Sequence, residues 1–108
     1  MWEKSVELSG TVSDIVSKFP EDERYVLSSQ IKRAADSVSL NIAEGSTGQS
    51  NPEFKRFLGI SIRSGVEVIG CLYLARRRKI ISNEDFKLIY GLTDDLIKGI
   101  QSLRKTIH

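Results

Sequence analysis

Apolar residues recur at three- and four-residue intervals along most of the chain, and the rhythm breaks at three places. The first run, from Trp2 to about Lys18, sets Trp2, Val6, Leu8, Val12, Ile15, Val16 and Phe19 on one face, the spacing of a helix. Phe19-Pro20-Glu21-Asp22 then turns the chain. A second helix, predicted from about Tyr25 to Glu44, aligns Leu27, Ile31, Ala34, Ala35, Val38 and Ile42 and stops at Gly45, ahead of the loop Ser46-Thr47-Gly48-Gln49-Ser50. Asn51 as N-cap, Pro52 at the first helical position and Glu53 facing the helix dipole predict a third helix that reaches about Arg78. Ser82 with Asp85 three residues on has the spacing of a capping box. It opens a fourth helix, to about Lys105, striped by Phe86, Ile89, Tyr90, Leu92, Leu96, Ile97, Ile100, Leu103 and Ile107. No segment alternates with period two, so no sheet is expected. Four helices with short joints make antiparallel neighbours: the expected fold is all-α, an antiparallel up-down-up-down four-helix bundle, with residues 1–108 as one domain.

The third helix is more apolar than a bundle position requires. At 100° per residue its apolar side chains, among them Phe54, Phe57, Leu58, Ile60, Cys71, Leu72 and Ala75, spread over roughly two thirds of the circumference, where about 100° suffices for one buried face. The excess predicts a second buried surface, most simply against another copy of the chain, through Ile62, Val66, Ile69 and Tyr73. The other reading places this helix centrally, covered on both sides by its own chain. Ser61, Ser64 and Gly65 lie within the apolar arc, where small side chains let another helix approach.

Composition narrows the chemistry. Hydrophobic residues make up 40% and charged residues 28% of the 108, an ordinary globular balance, and the formal charge of +2 neither demands nor excludes a nucleic-acid or membrane partner. Cys71 is the one cysteine, which rules out an intrachain disulfide and suits a cytoplasmic location. No uninterrupted apolar run approaches the roughly 18 residues of a membrane span, so no membrane partner is expected. His108 is the one histidine, so a Ser-His-acid triad, a His-rich metal site and a Cys-based zinc site all lack parts. The chain is expected to be no enzyme, with no metal and no cofactor. The acidic pairs in Glu21-Asp22-Glu23 and Asp94-Asp95 read as solvated surface, and Gly45-Ser46-Thr47-Gly48 lacks the lysine and preceding strand of a phosphate loop.

Two polar constellations remain. Gln30, Arg33, Ser37, Asn41 and Glu44 form a seam beside the apolar stripe of the second helix, either a functional surface or, the reading favoured here, a hydrogen-bond network that fixes helix register. Basic residues cluster at Arg76-Arg77-Arg78-Lys79, where they complement a helix C-terminus, and at Lys32, Arg33, Lys55, Arg56 and Arg63. Together these nine could contact phosphates of RNA or DNA, through backbone charge more than base sequence, although Glu67 four residues after Arg63 is placed to neutralise part of the ridge. The alternative is a protein-interaction scaffold or accessory subunit with no direct nucleic-acid role.

The stretches Leu27-Ser28-Ser29-Gln30-Ile31-Lys32-Arg33-Ala34-Ala35-Asp36-Ser37-Val38, Asn41-Ile42-Ala43-Glu44-Gly45 and Glu53-Phe54-Lys55-Arg56-Phe57-Leu58, with the opening Trp2-Glu3-Lys4-Ser5 and the Phe19-Pro20 turn, carry a resemblance. The chain resembles the small four-helix-bundle proteins named after intervening sequences in bacterial 23S ribosomal RNA genes. It departs from them at Ser39-Leu40, where many relatives carry a proline-containing variant. The resemblance implies a bacterial origin and a ring-like homo-oligomer, a pentamer as in the related accessory protein of diversity-generating retroelements. In that protein a basic surface serves nucleic acid and a reverse-transcriptase partner. It supplies no catalytic role for Gln30, Arg33, Asn41 or Glu44.

Overall fold

Four helices carry the chain: α1 (Trp2–Val16), α2 (Ser29–Gly45), α3 (Asn51–Arg77) and α4 (Asn83–Lys105). The computed structural model describes residues 1–48 and 50–108, with the side chains of residues 23–25 outside that description. Gln49 of the predicted loop and the side chain of Glu23 in the predicted acidic turn therefore lie outside the described residues. A 3-10 turn (Glu21–Glu23) and a π turn (Arg24–Ser28) lead into α2, so the regular α-helix starts at Ser29 and not near Tyr25 as the periodicity predicts.

The contacts between helices fix their directions. The end of α1 meets the start of α4 through the Lys18–Asp85 ion pair at 3.0 Å. The hydroxyl of Ser9 on α1 donates to Asp36 on α2. On α2 and α3, Ser61 Oγ donates to the Val38 carbonyl at 3.0 Å and Ser64 Oγ to Ser37 Oγ at 2.8 Å, so later residues of one pair with earlier residues of the other. Tyr73, late in α3, packs on Phe86, early in α4, and Arg104, late in α4, reaches back to the Lys55 carbonyl. Each helix is antiparallel to its neighbours in sequence, and α4 closes on α1: the expected up-down-up-down bundle, 44 × 22 × 19 Å in extent.

Unequal helix lengths divide the interior. At 1.5 Å per residue α1 spans about 22 Å and α3 about 40 Å, so α1 covers only part of the bundle. The larger apolar cluster, which includes Leu8, Val12, Ile31, Ala35, Val68, Leu72 and Ile89, draws on all four helices. The smaller one, Val38, Ile42, Leu58 and Ile100, belongs to the end formed by α2, α3 and α4. The stripe read for α1 is corrected at its start: Trp2 and Val6 are exposed and Ser5 is buried. At 100° per residue Val6 lies roughly 120–160° around the helix from Val12 and Leu8, too far to share their face.

The α3 start is also shifted by one residue. Ser50, not Asn51, is the N-cap; its side chain accepts from the Glu53 backbone N–H, and Pro52 still stands in the first turn, where no donor is needed. Ser50→Ala is expected to cost about 1 kcal/mol and Asn51→Ala only a few tenths in denaturant unfolding. At α4 the predicted cap holds, with Ser82 Oγ accepting from Asp85 N at 3.0 Å.

Although α3 has no uninterrupted apolar run, an 18-residue window of it reaches a mean hydropathy of 1.5, long and apolar enough by composition to cross a bilayer. Ser61, Ser64, Gly65, Val68 and Leu72 on its buried face pack within the bundle. Gly65 makes this possible on the α4 side, since a Cβ there would stand 2.8 Å from Ile97 Cγ1.

Candidate nucleic-acid interface

Charge is unevenly divided along the chain. Residues 51–79 hold seven Lys and Arg against two acids, Glu53 and Glu67, a net +5; the whole chain is +2, which leaves −3 for the rest. Helical geometry gathers much of the surplus on the solvent side of α3. Arg56, Arg63 and Arg77 recur at multiples of seven residues, and all three are exposed. Seven residues of helix advance about 10.5 Å, so the strip runs about 31 Å from Arg56 to Arg77.

The strip widens into a groove at its N-terminal end. Lys55, Arg56, Gly59 and Arg63 of α3 face Arg104 of α4 and His108 across a cleft of about 480 Å³. Lys105 lines an adjoining hollow with Lys55, Ile62, Gln101 and Arg104. Arg104 Nε donates to the Lys55 carbonyl at 3.0 Å, which ties the two walls together. Of these cations Arg56 pairs with Glu53 at 3.2 Å and lies over the Phe57 ring at 4.5 Å. Lys55, Arg63 and Lys105 have no ion pair among the described residues. Glu67 does not pair with Arg63 as its spacing suggests; it lines a shallow cleft with Gln30, Arg33 and Ser37. Arg104, Lys105 and His108 are the residues the sequence reading missed, since over 40 positions separate them from Arg63 and only the antiparallel α3–α4 packing joins them.

At the other end of α3 the four consecutive cations part ways. The Arg76 guanidinium lies over Phe86 at 4.3 Å and Tyr73 at 4.9 Å, capping an aromatic cluster completed by Tyr90, so it has a packing role of its own. Arg77, Arg78 and Lys79 are exposed. Lys79 has φ 60°, and the bonds Lys79 N to Arg76 O and Ile80 N to Ala75 O form a Schellman motif with Lys79 in its left-handed position. Glycine fills that position without strain and lysine does not. Lys79→Gly is therefore expected to raise stability by about 0.5–1 kcal/mol while removing one cation from the strip, read by thermal unfolding and by nucleic-acid affinity on the same sample.

The polar seam of α2 separates into parts. Asn41 Nδ2 donates to the Ser37 carbonyl at 2.8 Å and to Ser37 Oγ at 3.0 Å, and Ser37 Oγ accepts from Ser64, a network that joins α2 to α3. Gln30 and Arg33 line the shallow cleft beside it, and the Glu44 side chain is exposed. Arg33, Asn41 and Glu44 thus do not converge in one pocket. Lys32 lies on the α1 side of α2, Arg33 stands between that side and the cleft shared with Ser64 and Glu67 of α3, and neither lines the groove around Arg104. Cys71 is buried, and burial first, then the Glu67 charge, pushes its thiol pKa up, which holds it protonated and unreactive. Among the described residues no group of three His, Cys, Asp or Glu is placed to hold a metal ion. Of the four residues read as an oligomer surface, Ile62 packs on the smaller core cluster and Ile69 is half-buried, whereas Val66 and Tyr73 stay 56% and 47% exposed.

The chain is similar to a solved protein of unknown function from the S23 ribosomal protein family of Bacteroides thetaiotaomicron VPI-5482, with a TM-score of 0.87 and 26% identity over 96% of this chain and 97% of that one. No curated protein matches it. Neither the family description nor that solved protein names an enzymatic activity. A family model described as 23S rRNA-intervening sequence protein matches residues 1–102, and the chain belongs to that family.

Proposed function

We propose that this chain is a non-enzymatic, cytoplasmic, homo-oligomeric bundle protein that binds the phosphate backbone of RNA or DNA along α3. The observation that carries the reading is the concentration of net +5 in residues 51–79 of a chain with a net charge of only +2, with Arg56, Arg63 and Arg77 exposed along one side of α3 and Lys55 and Arg63 without an ion pair among the described residues. A strip of point charges without a base-reading element contacts phosphates whatever the sequence. Contacts of this kind release counterions, so affinity falls steeply with salt. The test is fluorescence anisotropy with labelled structured RNA and duplex DNA at two salt concentrations. Binding at low salt that weakens sharply at high salt is expected; no binding, or binding indifferent to salt, contradicts the mechanism.

Self-association is supported by Val66, Tyr73 and Leu74, large apolar side chains left exposed on the same helix. A ring of five copies is the size the family resemblance implies. The second reading, a scaffold for a partner protein such as a reverse transcriptase, is favoured by exposed Trp2, Val6 and Leu40 on α1 and α2, away from the basic strip. Capture of a protein partner that survives nuclease treatment of a lysate would favour that reading.

A further inference from the structure

A cleft of about 630 Å³ separates the C-terminal half of α1 from the N-terminal half of α2, and no residue of the α3 strip lines it. We propose that it binds a single phosphate group, free or as a monoester, through the hydroxyls of Ser13, Ser17, Ser28 and Ser29 and the cations of Lys32 and Arg33. Four serines and two cationic side chains line one space, and a phosphate's oxygens accept many hydrogen bonds at once. The donors are also largely uncommitted. Ser28 is 5% exposed, and its Oγ is buried with no hydrogen-bond partner. Ser13 and Ser29 make no side-chain hydrogen bond, and Lys32 and Arg33 no ion pair, among the described residues. Ser17 Oγ donates to the Asp14 carbonyl at 2.6 Å.

Ser28 ends the π turn Arg24–Ser28, a local geometry frequent at functional sites. Asp36 also lines the cleft and accepts from Ser9, so the lining of Lys32, Arg33 and Asp36 carries a net +1. Val16 adds an apolar wall, and among the described residues none that lines the space is aromatic. The site is independent of the α3 strip, so either reading can fail without the other.

The test is a titration of the full ¹⁵N-labelled chain with inorganic phosphate, against chloride at equal ionic strength, followed by amide shifts. A nucleoside 5′-monophosphate and its parent nucleoside form a second pair of probes. Saturable shifts confined to Ser13, Ser17, Ser28 and Ser29 and their neighbours are expected with phosphate or with the monophosphate. If inorganic phosphate is silent and the monophosphate saturates, the site is assigned to esters. Lys32→Gln, an exposed and structurally mild change, should weaken binding about tenfold. Ser28→Ala should weaken it as well while leaving the melting temperature of the unliganded protein equal or higher, because it removes a buried hydroxyl with no partner. Shifts no larger than those from chloride, saturation by the nucleoside alone, or undiminished binding by Lys32→Gln would overturn the assignment.

Discussion

Replacing Lys55, Arg63 and Lys105 together by glutamine is expected to weaken nucleic-acid binding on the order of a hundredfold at physiological salt, with the fold intact. Arg63 and Lys105 are exposed and Lys55 half-buried, and none forms an ion pair among the described residues, so their removal breaks no internal charge pairing. Their value on the proposed interface lies in the counterions each displaces. For duplex DNA each lost phosphate contact lowers the slope of log affinity against log salt by about 0.9, so three should lower it by about 2.7. The comparison is Lys4→Gln, Lys18→Gln and Lys98→Gln, which removes the same charge outside the α3 strip and its groove. There Lys18 and Lys98 already pair with Asp85 and Asp94 at 3.0 and 2.9 Å. If both triple variants lose equal affinity, net charge and not the α3 strip governs binding.

The largest effect on stability is expected at Gly65. It is buried in α3, and an added Cβ would stand 2.8 Å from Ile97 Cγ1 and 3.1 Å from its Cδ1 on α4. Gly65→Ala asks half-buried Ile97 to shift, against a gain of about 1 kcal/mol from a better helix former, so a small net change is expected. Gly65→Leu puts a branched side chain into space held by the Ile97 and Thr93 side chains and should cost about 3 kcal/mol. At roughly 4–8 °C per kcal/mol for a domain of this size, the melting temperature should fall by more than about 10 °C, read by circular dichroism. A near-native melting temperature for Gly65→Leu would mean that α3 and α4 do not approach closely at this point.

The fold was legible because the signals that define it are local. Apolar residues spaced for one helical face, Pro20 and Pro52 at the joints, and Ser82 at a cap each act within a few residues. The errors fell at element ends, where neighbouring residues compete: Ser50 and Asn51 are both good caps, and Ser50 wins because the helix begins one residue earlier than Pro52 at its first position would require. At the N-terminus Trp2 and Val6 fitted a looser stripe than α1 uses, with Ser5 buried in their stead. The apolar breadth of α3 is plain in the sequence, but periodicity cannot say what covers each part: Ile62 joins the smaller core cluster, and Val66 does not.

The site was less legible than the fold. Arg56, Arg63 and Arg77 share a strip by helical arithmetic alone, but Arg104 enters the groove only through antiparallel packing. Adjacency in sequence also misled in the opposite direction. The Arg76-Arg77-Arg78-Lys79 run reads as one patch, whereas Arg76 turns onto Phe86 and Tyr73 and Lys79 sits in a left-handed cap. The α1/α2 cleft had no sequence signal, because Ser13, Ser17, Ser28 and Ser29 become one surface only when the two helices pair.

Where nucleic acid rests on the molecule is read most directly by lysine footprinting with mass spectrometry, on the full chain with and without a saturating structured RNA at low salt. Lys55, Lys79 and Lys105 should be strongly protected from acylation, and Lys4, Lys18 and Lys98 should react as in the free protein. Protection confined to Lys4, Lys18 and Lys98, or uniform across these six lysines, would contradict an α3 phosphate track.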